Sequence, residues 1–186
     1  FHTLSSKETS HHRNMILGND KDKFVCTWIN RNARRKRPAD VLKSWQMFLM
    51  SLEQKYNHKN AILLMHTDPY DKQGTNLVEV AKSLNVLENT RFSDQVVDFE
   101  KINVLHNISD VCLNISCAEG FGLSTLEAMS VGKPIIATLT GGLTRQLINP
   151  EDLSINGIAL KVDAVTISGT QMTPYLNEDY ASLETI

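Results

Sequence analysis

Short apolar runs of strand length alternate along this chain with longer segments in which apolar residues recur at helical spacing. The strand-like runs lie at residues 23–29, 61–67, 89–92, 110–116, 134–140 and 156–162. The helical segments lie at residues 38–56, 75–86, 94–109 and 123–131. Apolar strands separated by helices are typical of a parallel sheet covered on both faces. The pattern therefore predicts an α/β domain with a doubly wound parallel sheet, Rossmann-like in architecture.

Length and composition fit one large domain with a substantial core, since 41% of the 186 residues are hydrophobic. The formal net charge of -2 gives no case for a general nucleic-acid-binding or membrane-surface protein. The three cysteines lack zinc or C-x-x-C spacing, which indicates a reduced setting, and we expect a cytoplasmic protein. A peripheral association of the full-length protein with a membrane stays open. Cys26 and Cys112 lie in apolar runs and are predicted core residues.

The two ends of the chain do not follow the alternation of apolar strands and helices. Residues 1–22 are largely polar and predict an interdomain linker and a turn, followed by one domain over residues 23–186. The chain begins at Phe1 rather than Met, and its last residues, YASLETI, look like part of an amphipathic helix. We interpret the sequence as a piece of a longer protein.

A glycine-containing loop, CAEGFGLS at residues 117–124, follows the strand-like run at residues 110–116. Gly120 and Gly122 allow the backbone to turn sharply and to approach a ligand without a Cβ in the way. The helix expected after them would direct free N–H groups and the positive end of its dipole at the loop. Because ligands of such sheets bind at the carboxyl ends of the strands, we expect a phosphate site here.

Two carboxylates, Glu119 and Glu127, flank this loop. Carboxylates do not suit a phosphate, but they accept hydrogen bonds from hydroxyls, which a nucleotide sugar carries on both sides of its diphosphate. Other interpretations stay open. The residues STLE have the form of a capping box in which Ser124 caps the helix and Glu127 bonds back to it. Glu119 could likewise be a solvated loop acid.

The stretch AEGFGLSTLEAMSVGKPIIATLTGG, at residues 118–142, resembles the signature of the donor-binding half of GT-B retaining glycosyltransferases, the glycogen-synthase-like and sucrose-synthase-like group. The likeness includes the Gly-Phe-Gly core, the second glutamate, the Gly-Lys-Pro break and the Gly141-Gly142 loop. It implies one half of a GT-B fold, the second of two Rossmann-like domains, with the N-terminal acceptor domain missing. The implied reaction moves a hexosyl unit from a nucleotide diphosphate sugar to an acceptor hydroxyl with retention, without metal or other cofactor.

The same resemblance implies roles for individual residues. Glu119 would contact the transferred sugar, and Glu127 would contact the ribose hydroxyls. Backbone amides would line the sugar and the diphosphate, namely those of Gly120, Phe121, Gly122, Leu123 and Ser124. Residues 88–94 match the family segment beside the base, where Arg91 and Phe92 would offer mostly backbone contacts. Backbone contacts read base identity poorly, so UDP, GDP and ADP sugars all stay open as the donor partner.

Five basic residues lie between positions 31 and 37, directly after the first predicted strand. Such a run is usually a solvated face, and the missing basic footprint disfavours a nucleic-acid arm, so we expect no nucleic-acid partner. In the group that the chain resembles, an arginine, four intervening residues and a lysine grip the donor diphosphate. Arg31 and Lys36 have that spacing, and Arg35 competes for the role of Arg31. Fixed cations would stabilise the charge that builds on the departing diphosphate.

Three other sequence features are given no metal-binding, catalytic or modification role. The DKD sequence at residues 20–22 imitates a metal-binding D-x-D motif, but it precedes the first strand, and we assign it no metal. We interpret His106 as structural rather than catalytic, and the glycosylation sequons at Asn107 and Asn114 as chance matches. Two rival functions stay open, a UDP-sugar epimerase-like enzyme of the same fold and a non-catalytic nucleotide-binding module. We expect the isolated chain to transfer sugar poorly or not at all.

Overall fold

The centre of the molecule is a six-stranded sheet, seen in a computed structural model that describes residues 1–186. Its strands are β1 (Phe24–Ile29), β2 (Ala61–His66), β3 (Thr90–Ser93), β4 (Val111–Asn114), β5 (Ile135–Thr138) and β6 (Ile158–Leu160). They lie in the order β3-β2-β1-β4-β5-β6, and every neighbouring pair is parallel. The strand order reverses between β1 and β4, which is where doubly wound sheets bind their ligands. The predicted doubly wound parallel sheet is confirmed.

Six α-helices accompany the sheet. They are α1 (Ser6–Leu17), α2 (Pro38–Tyr56), α3 (Leu77–Ser83), α4 (Phe99–Asn107), α5 (Leu123–Ser130) and α6 (Gly142–Leu147). Helix α2 has the predicted range, because Pro38 occupies its first turn and Val41 and Trp45 are on its buried face. Helix α4 is shorter than predicted and begins after Asp98, whose side chain accepts the Lys101 N–H as an N-cap. None of the helices combines the length and the apolar character needed to cross a membrane.

The two faces of the sheet bury different side chains. Trp28 and Met65 pack with residues of α2 and α3 in the largest buried cluster. Val25 and Leu64, which point the opposite way from their neighbours along the strands, pack with residues of α1 and α4. Complete burial of a side chain of this size stabilises the fold by about 1.5–3 kcal/mol. The predicted core cysteines, Cys26 and Cys112, are both buried and unpaired.

The N-terminal segment differs from the irregular linker and turn that the sequence predicted for residues 1–22. Residues Ser6–Leu17 form α1, and Ser5 and Glu8 make a capping box at its start. The helix is fixed to the domain through Arg13, which bonds the carbonyl oxygen of Ile108 and the carboxylate of Asp110. A polar helix held by side-chain bonds leaves little apolar periodicity in the sequence, which explains the missed prediction. Its role as an interdomain linker stays a prediction.

The C-terminal helix predicted for YASLETI is wrong. The chain instead forms an antiparallel hairpin, β7 (Ala164–Ser168) and β8 (Leu176–Tyr180), and the last residues make turns. The carboxylate of Asp163 accepts bonds from the backbone N–H of Ser182 and the hydroxyl of Thr185. These bonds to a side chain outside the segment hold the backbone in a turn.

Candidate functional site

The loops that follow β1 and β4 meet at the carboxyl edge of the sheet. We call residues 30–37 the basic loop and residues 115–122 the glycine loop. The backbone N–H of Cys117 donates to the carbonyl oxygen of Arg35 at 2.9 Å, which joins the two loops. Their meeting point is the place where the strand order reverses. The predicted site segments are therefore brought together, although they are far apart in sequence.

The centre of this junction is an ion pair between Lys36 and Glu119. The ammonium group of Lys36 contacts the Oε2 atom of Glu119, and the two side chains are only 9% and 10% exposed. Arg35 lies 3.8 Å from the same oxygen and donates to the carbonyl oxygen of Ala118 at 3.0 Å. Burial lowers the pKa of Lys36, and the contact with Glu119 opposes that shift. Glu119 is thus a paired carboxylate with little exposed surface and not a solvated loop acid.

Helix α6 supports the glycine loop from behind. The N–H of Gly142 donates to the carbonyl oxygen of Glu119 at 3.1 Å, and the Gln146 amide donates to that of Phe121 at 2.6 Å. A Cβ on Gly141 would lie 1.9 Å from the Glu119 carbonyl oxygen. The double glycine therefore permits a close approach of two backbones. Sequence analysis missed Gln146, whose contact with the loop has no local signal.

The glycine loop presents a row of unused hydrogen-bond donors. The backbone N–H groups of residues 120–124 donate no hydrogen bond within the protein. Gly122 turns the chain at a φ of 86°, and α5 starts at the next residue. Free amides at the start of a helix form a ready site for an anion. The free N–H groups are those to which the resemblance assigns the sugar and the diphosphate, and that assignment stays a prediction.

The capping-box interpretation of Ser124 and Glu127 is wrong. Gly122 is the N-cap residue of α5, no side chain caps the helix, and Ser124 lies inside its first turn. The cause is the left-handed backbone at Gly122, which places the N-cap two residues before the serine. Glu127 instead directs its Oε2 atom at the Nε2 atom of His106, 3.3 Å away. Burial raises the pKa of Glu127.

His106 connects Glu127 to a buried polar chain. Its Nδ1 atom lies 3.7 Å from the Sγ of Cys112, which lies 3.0 Å from the Oγ1 of Thr27. The ring is 1% exposed, and its burial lowers the pKa of His106 to about 4. A neutral imidazole can donate from Nε2 to the Glu127 carboxylate, which leaves Nδ1 to accept a bond from the Cys112 thiol. His106 therefore positions Glu127.

We expect His106 to make the folded chain sensitive to acid. In the unfolded chain an imidazole protonates at its reference pKa of about 6.5. The folded chain keeps His106 neutral down to about pH 4. The unfolded state binds the proton first, so the free energy of unfolding decreases as the pH falls between those values. The loss is at most about 3 kcal/mol, at roughly 1.4 kcal/mol per pKa unit.

Urea unfolding at about pH 7 and pH 5 measures this effect, with His106→Gln as the comparison. The glutamine variant should lose about 2 kcal/mol less than the wild type over that interval. Equal losses in the two proteins would contradict the assignment of a buried neutral imidazole.

Arg31 lies apart from the Lys36–Glu119 pair. Its side chain is 61% exposed and its Nε donates to Asp71 at 2.8 Å, which raises the pKa of Arg31 and lowers that of Asp71. It does line a cleft of about 350 Å³ between the ends of β1, β2 and β3. In that cleft the side-chain nitrogen of Asn30 and the hydroxyl of Thr67 are buried without a hydrogen-bond partner. Buried polar atoms normally have a partner, so these two mark the cleft as a candidate ligand site.

The side chains of Arg91 and Phe92 do not face this edge. The Arg91 guanidinium bonds the carboxylate of Asp20, which precedes β1, and the carbonyl oxygen of Glu88. The ring of Phe92 packs against the core. Of this segment, Ser93 lines the cleft, whereas Arg91 and Phe92 do not.

Several sequence motifs are occupied by internal contacts. Asp20 of the DKD sequence pairs with Lys23 as well as with Arg91. The sequon residues Asn107 and Asn114 are buried, and their side-chain nitrogens donate to protein oxygens. Both asparagines are therefore inaccessible to glycosylation in the fold.

The sequence also matches a known family. The family described as "Glycosyl transferases group 1" matches residues 12–167, which is most of the chain. The chain belongs to this family. The glycosyltransferase resemblance stated from residues 118–142 is thereby confirmed.

Curated relatives share shorter segments with this glycosyltransferase chain. A trehalose synthase from Pyrococcus horikoshii is 42% identical over 55 residues, which is 30% of this chain and 13% of the relative. A D-inositol 3-phosphate glycosyltransferase from Salinispora arenicola is 36% identical over 69 residues, 37% of this chain and 15% of the relative. The matches thus span only about a seventh of the length of these relatives.

Solved structures show the fold over most of the chain. Anabaena HepE, solved with UDP and glucose, has a TM-score of 0.67 at 20% identity, covering 86% of this chain and 39% of HepE. The sucrose-phosphate synthase of Thermosynechococcus elongatus has a TM-score of 0.66 at 23% identity, covering 87% and 36%. The prediction of one Rossmann-like half of a GT-B fold is confirmed.

Proposed function

We propose that this glycosyltransferase chain is the donor-binding domain of an enzyme that moves a hexosyl unit from a nucleotide diphosphate sugar to an acceptor hydroxyl with retention. The observation that carries the proposal is the buried Lys36–Glu119 pair beside five free backbone amides. A cation, a row of N–H donors and a carboxylate acceptor suit the two halves of a sugar diphosphate. Retention rests on the resemblance of residues 118–142 to the retaining group.

The diphosphate is assigned to the basic loop and the start of α5. Lys36 and Arg35 supply positive charge, and the amides of residues 120–124 supply hydrogen bonds. As the sugar–phosphate bond breaks, negative charge grows on the leaving diphosphate, and donors already fixed in place stabilise it. Arg31 is assigned as a third cation for the diphosphate. Its exposed ion pair with Asp71 leaves it able to move to a ligand. No step in this scheme requires a metal.

The two glutamates are assigned to hydroxyl groups. When a phosphate takes over the charge of Lys36, the carboxylate of Glu119 becomes available to accept hydrogen bonds from the transferred sugar. Glu127, held by the neutral His106, is assigned to the ribose hydroxyls. The nucleotide base is placed against the backbone of residues 91–93, which leaves UDP, GDP and ADP sugars as candidate donors.

The acceptor site is assigned to a further domain. The solved structure of the C-terminal domain of a group 1 glycosyl transferase, LpcC of Francisella tularensis, supports a separate donor half. It has a TM-score of 0.62 at 19% identity and covers 88% of this chain and 78% of that structure. In this proposal the chain alone binds donor and does not complete the transfer.

Calorimetric titration with UDP, GDP and ADP tests the proposal. One of the three should bind, and Arg31→Ala should weaken that binding by about tenfold to a hundredfold, as expected for the loss of a charge-assisted bond. Lys59→Ala is the matched control, because Lys59 forms an exposed ion pair with Glu53 just before β2, at the opposite edge of the sheet. An equal loss in both variants, or no binding of any nucleotide, would contradict the assigned site.

A further inference from the structure

The β7–β8 hairpin carries a buried carboxylate that the proposed reaction does not use. Glu178 is 1% exposed, although most residues around it in the hairpin are exposed. Its two oxygens accept bonds from the guanidinium of Arg34 at 2.9 and 2.5 Å, and the Tyr180 hydroxyl donates to it at 2.9 Å. These bonds lower the pKa of Glu178 to about 2. A fully bonded carboxylate fixes its partners in one geometry.

Its main partner belongs to the turn that carries Lys36. Residues Arg34–Lys36 form a single 3₁₀ turn, so the position of Arg34 determines that of Lys36. The far end of the turn is held by the same hairpin, because the Arg37 guanidinium donates to the carbonyl oxygen of Ala181 at 2.9 Å and lies over the Tyr180 ring. The hairpin and the residue after it thus bind the turn on both sides of Lys36.

The next residue of the hairpin holds the other partner of the site. The N–H of Asp179 donates to the carbonyl oxygen of Cys117 at 2.7 Å, two residues before Glu119. The carboxylate of Asp179 accepts a bond from the hydroxyl of Thr140 at 2.7 Å, directly before the double glycine. Glu178 and Asp179 therefore lie between the basic loop and the glycine loop and are bonded to both.

The hairpin residues of these contacts lie beyond the segment that the family model matches. The family match ends at residue 167, whereas β8 spans residues Leu176–Tyr180. Resting on the proposed donor site, we infer that Glu178 is a positioning residue, which sets the Lys36 ammonium against Glu119 without itself touching the donor. The affinity of the site for a diphosphate then depends on a hairpin that contributes no ligand atom.

Two readouts on Glu178→Gln test this inference. The first is calorimetric titration with inorganic pyrophosphate, the chemical group that all candidate donors share. The second is the rate at which an acylating reagent modifies Lys36, followed by peptide mass mapping. We expect pyrophosphate to bind about tenfold more weakly or worse, and Lys36 to become markedly more reactive as its contact with Glu119 loosens. Arg34→Gln, at a side chain that is 64% exposed, should reproduce both effects if the first variant folds poorly.

Asp110→Asn is the matched control for a merely structural role. Asp110 is also bonded to an arginine and to a backbone N–H, but it directly precedes β4, at the edge of the sheet opposite the site. This variant should lose stability while keeping pyrophosphate affinity and Lys36 protection. Unchanged affinity and unchanged Lys36 reactivity in Glu178→Gln would overturn the inference. A wild type that fails to bind pyrophosphate would instead overturn the proposed function, and the Lys36 reactivity would still decide the role of the hairpin.

Discussion

Replacing Lys36 with methionine is expected to lower the free energy of unfolding by about 3 kcal/mol and to abolish nucleotide binding. The stability loss follows because the carboxyl group of Glu119, whose side chain is 10% exposed, would lose its closest partner. Arg35, 3.8 Å away and half exposed, can compensate only in part. Binding is lost because a methionine offers neither charge nor a donor to the diphosphate.

The double variant Lys36→Met/Glu119→Gln separates the two effects. Removing both charges leaves no unpaired buried ion, so stability measured by urea unfolding should return close to that of the wild type. Lys59→Met, which breaks an exposed ion pair with Glu53, should change stability by no more than about 1 kcal/mol. If Lys36→Met alone is as stable as the wild type, the buried ion pair is contradicted.

Replacing Gly141 with alanine is expected to destabilise the chain by about 4 kcal/mol, the sum of backbone strain and steric overlap. Gly141 has a φ of 48° and a ψ of -129°, a conformation that residues with a Cβ avoid. The new methyl group would also lie 1.9 Å from the carbonyl oxygen of Glu119. Because that oxygen belongs to the glycine loop, nucleotide binding should weaken together with stability.

Gly132→Ala provides the control for the strain alone. Gly132 also has a positive φ, 72°, but a Cβ there meets no atom within 4 Å. We expect this variant to lose about 1–2 kcal/mol and to keep its nucleotide affinity. Thermal or urea unfolding of the two variants would show the difference. Equal losses at the two positions would mean that the close approach of Gly141 to Glu119 has no energetic consequence.

Local sequence patterns were sufficient to predict the sheet and the free amides of the candidate site. Strands β1 and β2 are continuous apolar runs, and α2 combines an N-terminal proline with a clear apolar stripe. The free amides of residues 120–124 were predictable because glycines and a following helix together imply unsatisfied donors. Each of these features depends on neighbours in the sequence.

Features that depend on distant residues were missed. Lys36 and Glu119 are 83 positions apart, and the sequence assigned each of them to a ligand rather than to the other. The same holds for Glu178, which is 144 positions from Arg34. The hairpin also lacks an apolar face directed at the core, so its strands carry no burial pattern that would reveal them.

The polar chain behind Glu127 explains why one glutamate differs from the other. Glu119 faces the ammonium group of Lys36, whereas Glu127 faces a neutral imidazole and has a raised pKa. Two carboxylates eight positions apart, one before and one after the row of free amides in the sequence, therefore have different environments. The difference is consistent with their assignment to two different hydroxyl-bearing groups, the transferred sugar and the ribose.

Calorimetric titration of the double variant Lys36→Met/Glu119→Gln with UDP, GDP and ADP, beside the wild type, tests the central claim most directly. The claim is that this pair and its amides are the donor diphosphate site. We expect the wild type to bind one nucleotide and the folded double variant to bind it at least about a hundredfold more weakly. Binding of the same nucleotide with unchanged affinity by the double variant would contradict the claim.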